Sequence, residues 1–521
     1  MQAPITGNRK RRVILTGAAL FSLSAAQRYA ALAQTPYANG WDGYFYLVQL
    51  KSWVETGRMH SPEASLVYPY LRLIYWFTSD YIIALKLGAA VLAGLFTWAV
   101  FAVADREAAA VPNETAYRAD AGIFIAAVSV FSPQLTYFTA QFPKNLLGAV
   151  LLVAFIGSLP PMHGAVLHKP VKSWALPAIV LIINYFGHRL TFSLALVYLA
   201  CRFVFEFREQ EPERRRAYLR ILAWVVPAGA GAVLIAGAFL PGLFHFIDFG
   251  RLSGVFSPAA QFAPWSFISR FGRERLSGWW LTEIAVATAC WGYMVIRLMI
   301  RSPLLSRSGL HYPLLCLCSL MLFPFLEWSF TGIAYRLFLV FVLLAPLLLI
   351  DLPFTGKRRT GVIFAAFLLA SSFFSRKSYQ PSLHDPDYNL FSKATTNARR
   401  YLSDKSPELI IAHNALAEFY TFSTGTDAMP WLPEYRVDSA RLWRIAADVP
   451  LQTVRYYAGA GGEEAVRPLG YPYILLPEYV WNAAIDRAKR ENDEAFLADA
   501  RGWRNPSQIR PAWLLHRKRK F

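Results

Sequence analysis

Charge is scarce in this chain, and acid is scarcer than base. Of 521 residues 17% are charged, with 34 Asp and Glu against 53 Lys and Arg, a formal net charge of +19; soluble proteins carry charge at about a quarter of their positions. That shortage excludes an ordinary cytosolic enzyme. Only four cysteines occur, Cys201, Cys290, Cys316 and Cys318, each inside an apolar run, which excludes a disulfide framework and a zinc site of the usual spacing. No nucleotide fingerprint and no serine nucleophile elbow is present. The run Gly459-Ala460-Gly461-Gly462 lacks the Lys-Ser/Thr of a phosphate loop and reads as a turn.

Apolar sequence is what the chain has in abundance, at 55% of residues, with 16 Trp, 26 Tyr and 38 Phe. A membrane helix needs about 20 mostly apolar residues. Candidate runs fall at 13–33, 81–104, 119–137, 145–159, 173–186, 190–205, 221–244, 279–300, 312–326, 337–352 and 361–374, which makes eleven spans, with room for one short pair to be re-entrant. With the N-terminus in the cytoplasm, the inner connections hold 18 Lys and Arg and the longer outer ones 10, as the positive-inside rule requires. Arg9-Lys10-Arg11-Arg12, Arg214-Arg215-Arg216 and Lys357-Arg358-Arg359 then serve as topology signals, and no nucleic-acid partner is expected. The start also imitates a cleavable signal peptide, with Ala31-Leu32-Ala33 before Gln34. Arg28, in the last turns of the first span, is expected to snorkel to the interface.

Eleven crossings put the C-terminus outside. Residues 1–374 are therefore expected to form an all-α polytopic membrane domain, with an outer first loop at 34–80, and residues 375–521 a soluble extracytoplasmic α/β domain. In the latter, 408–412 and 473–477 read as short buried strands and 481–500 as an amphipathic helix. The segment 378–387, with two prolines, reads as a linker, and 516–520 as a basic tail.

The polar residues that need explaining lie just beyond the outer span ends. They are Asp42 in Asn39-Gly40-Trp41-Asp42-Gly43-Tyr44, Lys144, the pair His188-Arg189, and Arg336 in Ala334-Tyr335-Arg336. The first outer loop adds two segments of helical period, around Leu47, Leu50 and Val54 and over 66–77, which suit helices lying in the interface plane.

Taken together, Trp41-Asp42-Gly43-Tyr44-Phe45-Tyr46-Leu47, the following Gln49 to His60, the number of spans and an outer C-terminal domain resemble the GT-C superfamily of membrane glycosyltransferases. The resemblance implies a GT-C-like fold, a polyprenyl-phosphate-linked sugar as donor, a lipid or glycan acceptor, surrounding membrane lipids as partners, and a setting in the bacterial inner membrane. Members with a paired acid differ here, because Asp42 is followed by Gly43. Transfer of a glycosyl group to a hydroxyl needs a base for the acceptor proton and cations for the departing phosphate. Asp42 is the expected base of an inverting displacement; the alternative is an Asx-type turn in which it caps its own backbone. Arg336, Lys144 and Arg189, with His188, are the expected phosphate ligands; each taken singly also suits an interfacial anchor. Glu327 is a possible second acid and Arg273 a possible contact for an anionic acceptor. No cofactor is expected, a divalent cation on the phosphate being the one open option. An O-antigen-ligase or polymerase type of enzyme, a lipid transporter and a noncatalytic scaffold are the competing readings.

Overall fold

The computed structural model describes residues 7–60, 65–109, 115–160, 172–209, 278–300, 310–322, 333–349, 379–402, 410–426, 428–431, 473–477, 503–504 and 512–517, with a few isolated positions besides. They belong to two compact units: Met1–Leu32, Ala64–Val67 and Ala89–Gln380 in the first, and Ala33–Glu63, Tyr68–Gly88 and Pro381–Phe521 in the second. The sequence of the first outer loop is thus grouped with the C-terminal residues, where chain order alone would attach it to the helices around it.

The first unit is helical. It holds α1 Gly7–Leu32, α4 Tyr81–Ala109 from Ala89 onward, α5 Thr115–Val130, α6 Pro133–Gln141, α7 Pro143–Ser158, α8 Lys172–Gly187, α9 Arg189–Glu209, α10 Gly278–Ile300, α11 His311–Met321 and α12 Ile333–Leu344, the last followed by a 3-10 turn at Ala345–Leu349. Among the described residues, Tyr81–Glu107 and Arg189–Arg208 are long and apolar enough to cross a membrane. The pair Gly122–Val130 and Pro133–Gln141, bent by 53°, adds a third if it is one span, and five further apolar helices are shorter. The expected spans at 361–374 and nearly all of 221–244 lie outside the described residues.

Small residues let these helices approach closely. An added Cβ on Gly94 would meet Phe21 Cδ2 at 2.7 Å, and Ser24 and Thr97 hydrogen-bond at 2.9 Å beside it. α9 and α11 pack in antiparallel fashion, Phe205 stacking on Tyr312 at 4.7 Å and the Cys201 and Cys316 thiols meeting one turn away. At the C-terminal end of α7, Arg106 donates to the carbonyls of Gly157 and Leu159, and Arg202 to that of Pro160. The carbonyls that end α7 have no helical partners of their own, so two guanidinium groups from other helices supply them.

Two expectations change here. Arg28 does not snorkel: it is 0% exposed, and its guanidinium donates to the carbonyls of Ser129 at 2.9 Å, Val130, and Ser132 at 3.0 Å. The carbonyls at a helix break in an apolar interior need donors, and this buried arginine is the donor. The segment 138–144, expected as an outer connection, is instead the end of α6 and the start of α7, because Ser132-Pro133 and Phe142-Pro143 each restart a helix with proline in its first turn.

The second unit holds helices and one sheet. α2 Gly43–Thr56 and α3 Val67–Thr78, the latter from Tyr68 onward, come from the segment 34–80; α13 Pro381–His384, α14 Tyr388–Leu402 and α15 Asn414–Thr424 come from the C-terminal residues. Strands β1 Ile410–His413, β2 Ala428–Trp431, β3 Tyr473–Pro477, β4 Trp503–Arg504 and β5 Ala512–Arg517 form one sheet in the order β2-β1-β3-β5-β4. β1 lies parallel to β2 and β3, with Ile411 opposite Met429 and Ile474, while β5 runs antiparallel to β3 and β4. Parallel neighbours need a crossover, and α15 is the crossover between β1 and β2. His516 and Arg517, expected in a basic tail, are sheet residues paired with Tyr473 and Trp503. The segment expected as a linker contains the α13 turn, and its Asp385 accepts a hydrogen bond from Gly40 N at 2.7 Å. The turn expected at 459–462 and most of the helix expected at 481–500 lie outside the described residues.

Candidate functional site

Asp42 stands immediately before α2, in a turn set by glycine on both sides. Gly40 has φ 79, a left-handed conformation that glycine adopts without steric cost. An added Cβ on Gly43 would meet Ala38 Cβ at 2.9 Å. Asp42 is half-buried, and its side chain makes no capping hydrogen bond to α2.

The C-terminal residues of the same unit hold it. Asp385 accepts from Gly40 N at 2.7 Å and from Asn39 Nδ2 at 3.4 Å, and Tyr388 Oη donates to Gly40 O at 2.6 Å. Tyr44 packs against Tyr388 at 5.0 Å, Phe419 at 4.7 Å and Phe422 at 5.4 Å between ring centroids. Lys51 donates to Phe422 O at 3.0 Å. A second acid lies in this cluster: Glu418, on α15, is 8% exposed, with Oε2 unpartnered among the described residues. Burial, and after it the negative charge of Asp42, pushes the Glu418 carboxyl well above its ordinary value. Burial pushes the Tyr388 phenol up as well, reinforced by Asp385, Tyr44, Glu418 and Asp42. Glu418 thus holds its proton more tightly than an ordinary carboxyl does. Sequence reading missed it, and the available signal was a single carboxylate inside the apolar run Ala415-Leu416-Ala417-Glu418-Phe419-Tyr420.

In the first unit the structure brings four expected residues together. His188 occupies the corner between α8 and α9, 8% exposed, with Nδ1 unpartnered among the described residues. Burial, followed by the positive charges of Lys144, Arg336 and Arg189, holds its imidazole well below the usual value. It is a neutral ring amid three cations. Lys144 opens α7, Arg189 opens α9 and reaches over the Tyr185 ring at 5.9 Å, and Arg336 lies near the start of α12 over the Phe142 ring at 5.6 Å. α7 comes close to this corner because residue 148 is glycine: an added Cβ would collide with Thr191 Oγ1 and with His188 Cβ at 2.5 Å. Thr191 Oγ1 in turn donates to Asn184 Oδ1 at 2.9 Å, and Ser65 and Leu66 donate to the last carbonyls of α8, Gly187 at 3.3 Å and Phe186 at 3.0 Å.

Three positive groups around a neutral imidazole suit an anion with several oxygens, guanidinium matching phosphate by paired hydrogen bonds and ammonium adding a compact charge. Asp42 belongs to the other unit. Glu327 and Arg273 lie outside the described residues. Among the described residues no three His, Cys, Asp or Glu side chains gather as a metal-ligand set.

No protein-family model matches the chain, and no curated protein matches it. Solved structures do. The archaeal oligosaccharyltransferase AglB from Archaeoglobus fulgidus, in complex with an inhibitory peptide and a dolichol-phosphate, matches with a TM-score of 0.53 at 13% identity, over 91% of this chain and 70% of that one. The Archaeoglobus fulgidus oligosaccharyltransferase tethered to an acceptor peptide containing the NVT sequon matches with a TM-score of 0.51 at 13% identity, over 90% and 69%. The chain therefore shares its fold with these oligosaccharyltransferase structures. Like the expected spans, Tyr81–Glu107 and Arg189–Arg208 of this fold are long and apolar enough to cross a membrane.

Proposed function

We propose that this chain is a glycosyltransferase that moves a sugar from a polyprenyl-phosphate donor to a hydroxyl on a lipid or glycan, at the outer face of the bacterial inner membrane. The observation that carries this reading is the gathering of Lys144, Arg189 and Arg336 around a buried, neutral His188. A departing lipid phosphate gains negative charge as the glycosidic bond breaks, and pre-placed cations stabilise that charge without reorganising. The His188 ring, uncharged, is free to donate or accept a hydrogen bond at the phosphate or the acceptor. Asp42 takes the acceptor proton as the hydroxyl attacks the anomeric carbon from the face opposite the phosphate, so the configuration inverts. The fold supports the class, and the dolichol-phosphate bound to AglB is consistent with a lipid-phosphate donor.

The test is transfer by purified protein in nanodiscs, supplied with radiolabelled polyprenyl-phosphate sugars and a membrane-lipid extract. Asp42→Asn is expected to lower turnover by about a hundredfold or more, since general-base catalysis contributes about 10² to 10⁴, with donor binding retained. Arg336→Ala is expected to weaken donor binding. Unchanged turnover in Asp42→Asn, at equal folded protein, removes Asp42 from the reaction. Neither transfer nor donor binding by the unaltered protein returns the chain to the transporter and scaffold readings.

A further inference from the structure

The break between α5 and α6 is supplied with hydrogen bonds from two other helices, by an arginine and a glutamate. At such a break the last carbonyls of one helix and the first N–H groups of the next lose their helical partners. Here the carbonyls of Ser129, Val130 and Ser132 are all taken by Arg28 of α1, at 2.9 Å from Ser129 and 3.0 Å from Ser132. On the other side Glu283 of α10 accepts from Ser132 Oγ and, at 2.9 Å, from Gln134 N, while Ser132 Oγ accepts from Leu135 N at 2.8 Å. The guanidinium therefore sits at the carbonyl end of α5 and the carboxyl at the N–H end of α6, each serving the backbone groups that the break leaves open. Nothing in the phosphate reading uses either residue, and a buried arginine and a half-buried glutamate within apolar helices need a reason to be there.

What α6 leads to supplies that reason. It ends at Gln141, Phe142 follows, and Lys144 is the second residue of α7. Arg336 lies over the ring of that same Phe142, and α12 packs on α6. Two of the three cations around His188 therefore depend on where α6 ends, and the 53° bend decides where that is.

We propose that Arg28 and Glu283 are positioning residues for the cation cluster: by gripping the break from both sides they fix the direction of α6, and through Phe142 that direction places Lys144 and Arg336 beside His188. The functional readout rests on the phosphate reading above; the structural readouts do not.

The experiment compares full-length unaltered protein, Glu283→Gln, Arg28→Met and the milder Ser132→Ala in nanodiscs. Three quantities are measured: amide hydrogen exchange, the titration of His188 by nitrogen-15 histidine resonances, and the dissociation constant for undecaprenyl phosphate. Glu283→Gln is expected to speed exchange at 131–142 about tenfold, leaving α9 unchanged. It should move the His188 midpoint up toward the ordinary value as Lys144 and Arg336 withdraw, Arg189 staying in place. It should also weaken undecaprenyl phosphate about tenfold, with a smaller further loss when Lys144→Ala is added than Lys144→Ala causes alone. Ser132→Ala should act in the same direction and less strongly. Exchange unchanged at 131–142, exchange raised equally throughout the unit, or an unmoved His188 midpoint each overturns the proposal. If the unaltered protein binds no undecaprenyl phosphate, the phosphate reading fails, and exchange and the His188 midpoint still decide on the clamp.

Discussion

Glu418 and Asp42 show how a side chain's surroundings can set its chemistry. Glu418 keeps its proton above the ordinary carboxyl range because burial and the Asp42 charge both oppose ionisation, with Tyr388, Tyr44 and Asp385 completing the neighbourhood. The folded state then binds more protons than the unfolded chain between the ordinary carboxyl value and the raised one. The stabilisation is complete below the ordinary value and is lost as pH rises through the raised value. Thermal unfolding of the unaltered protein should therefore become easier across that window, by up to about 1.4 kcal/mol per pH unit. Glu418→Gln, which imitates the protonated acid, should flatten the dependence. Tyr388→Phe removes the donor to Gly40 O and should destabilise the Asp42 turn by about 1–3 kcal/mol, read as faster hydrogen exchange at 39–44. Asp42, Lys144, His188, Arg189 and Arg336 could be singled out in the sequence because each interrupts an otherwise apolar context near a span end. Glu418 could not, since its meaning depends on a neighbour 376 positions away in the chain.

Helices and strands carry these groups, and local sequence explains much of how. Apolar runs mark α7, α8, α9 and α10 to within a few residues, and the run at 473–477 coincides with β3. Breaks are written locally too, in Ser132-Pro133 and Phe142-Pro143, where proline at the start of a helix gives up only an N–H that has no helical partner. What local sequence does not contain is the partner that makes a break tolerable inside an apolar interior, and Arg28 reaches Ser129 from 101 positions away. Close approach between helices has a similarly small signature. Gly148→Ala should push α7 away from the His188 corner at a cost of about 1–3 kcal/mol, as overpacking does. Weaker binding of polyprenyl phosphate with retained expression would be the sign, and an unaltered dissociation constant would show that α7 can give way elsewhere.

For the molecule as a whole, grouping by contact differs from grouping by order. Residues 33–63 share a unit with the C-terminal residues from Pro381 onward, because Tyr44, Lys51 and Gly40 have their partners at 385–422. A chain ended after Gln380 should therefore expose residues 37–56 to protease while α7 to α9 stay protected. Equal resistance in both chains would show that the loop holds its form alone. Topology is testable at the same level: reporter fusions after residue 210 should be cytoplasmic and fusions after residue 402 extracytoplasmic, following the 18 to 10 division of basic residues.

Composition and apolar run length were enough to mark a chain of many apolar helices, because a run's apolar character depends on contiguous residues and on nothing far away. The same holds for the polar residues at the span ends, which are conspicuous against that background. The cation cluster around His188, the buried Glu418 beside Asp42 and the contacts of Arg28 and Glu283 with the α5–α6 break needed the folded chain. Each is an electrostatic arrangement between segments tens to hundreds of residues apart, and its strength is set by burial and distance, neither of which a linear pattern encodes.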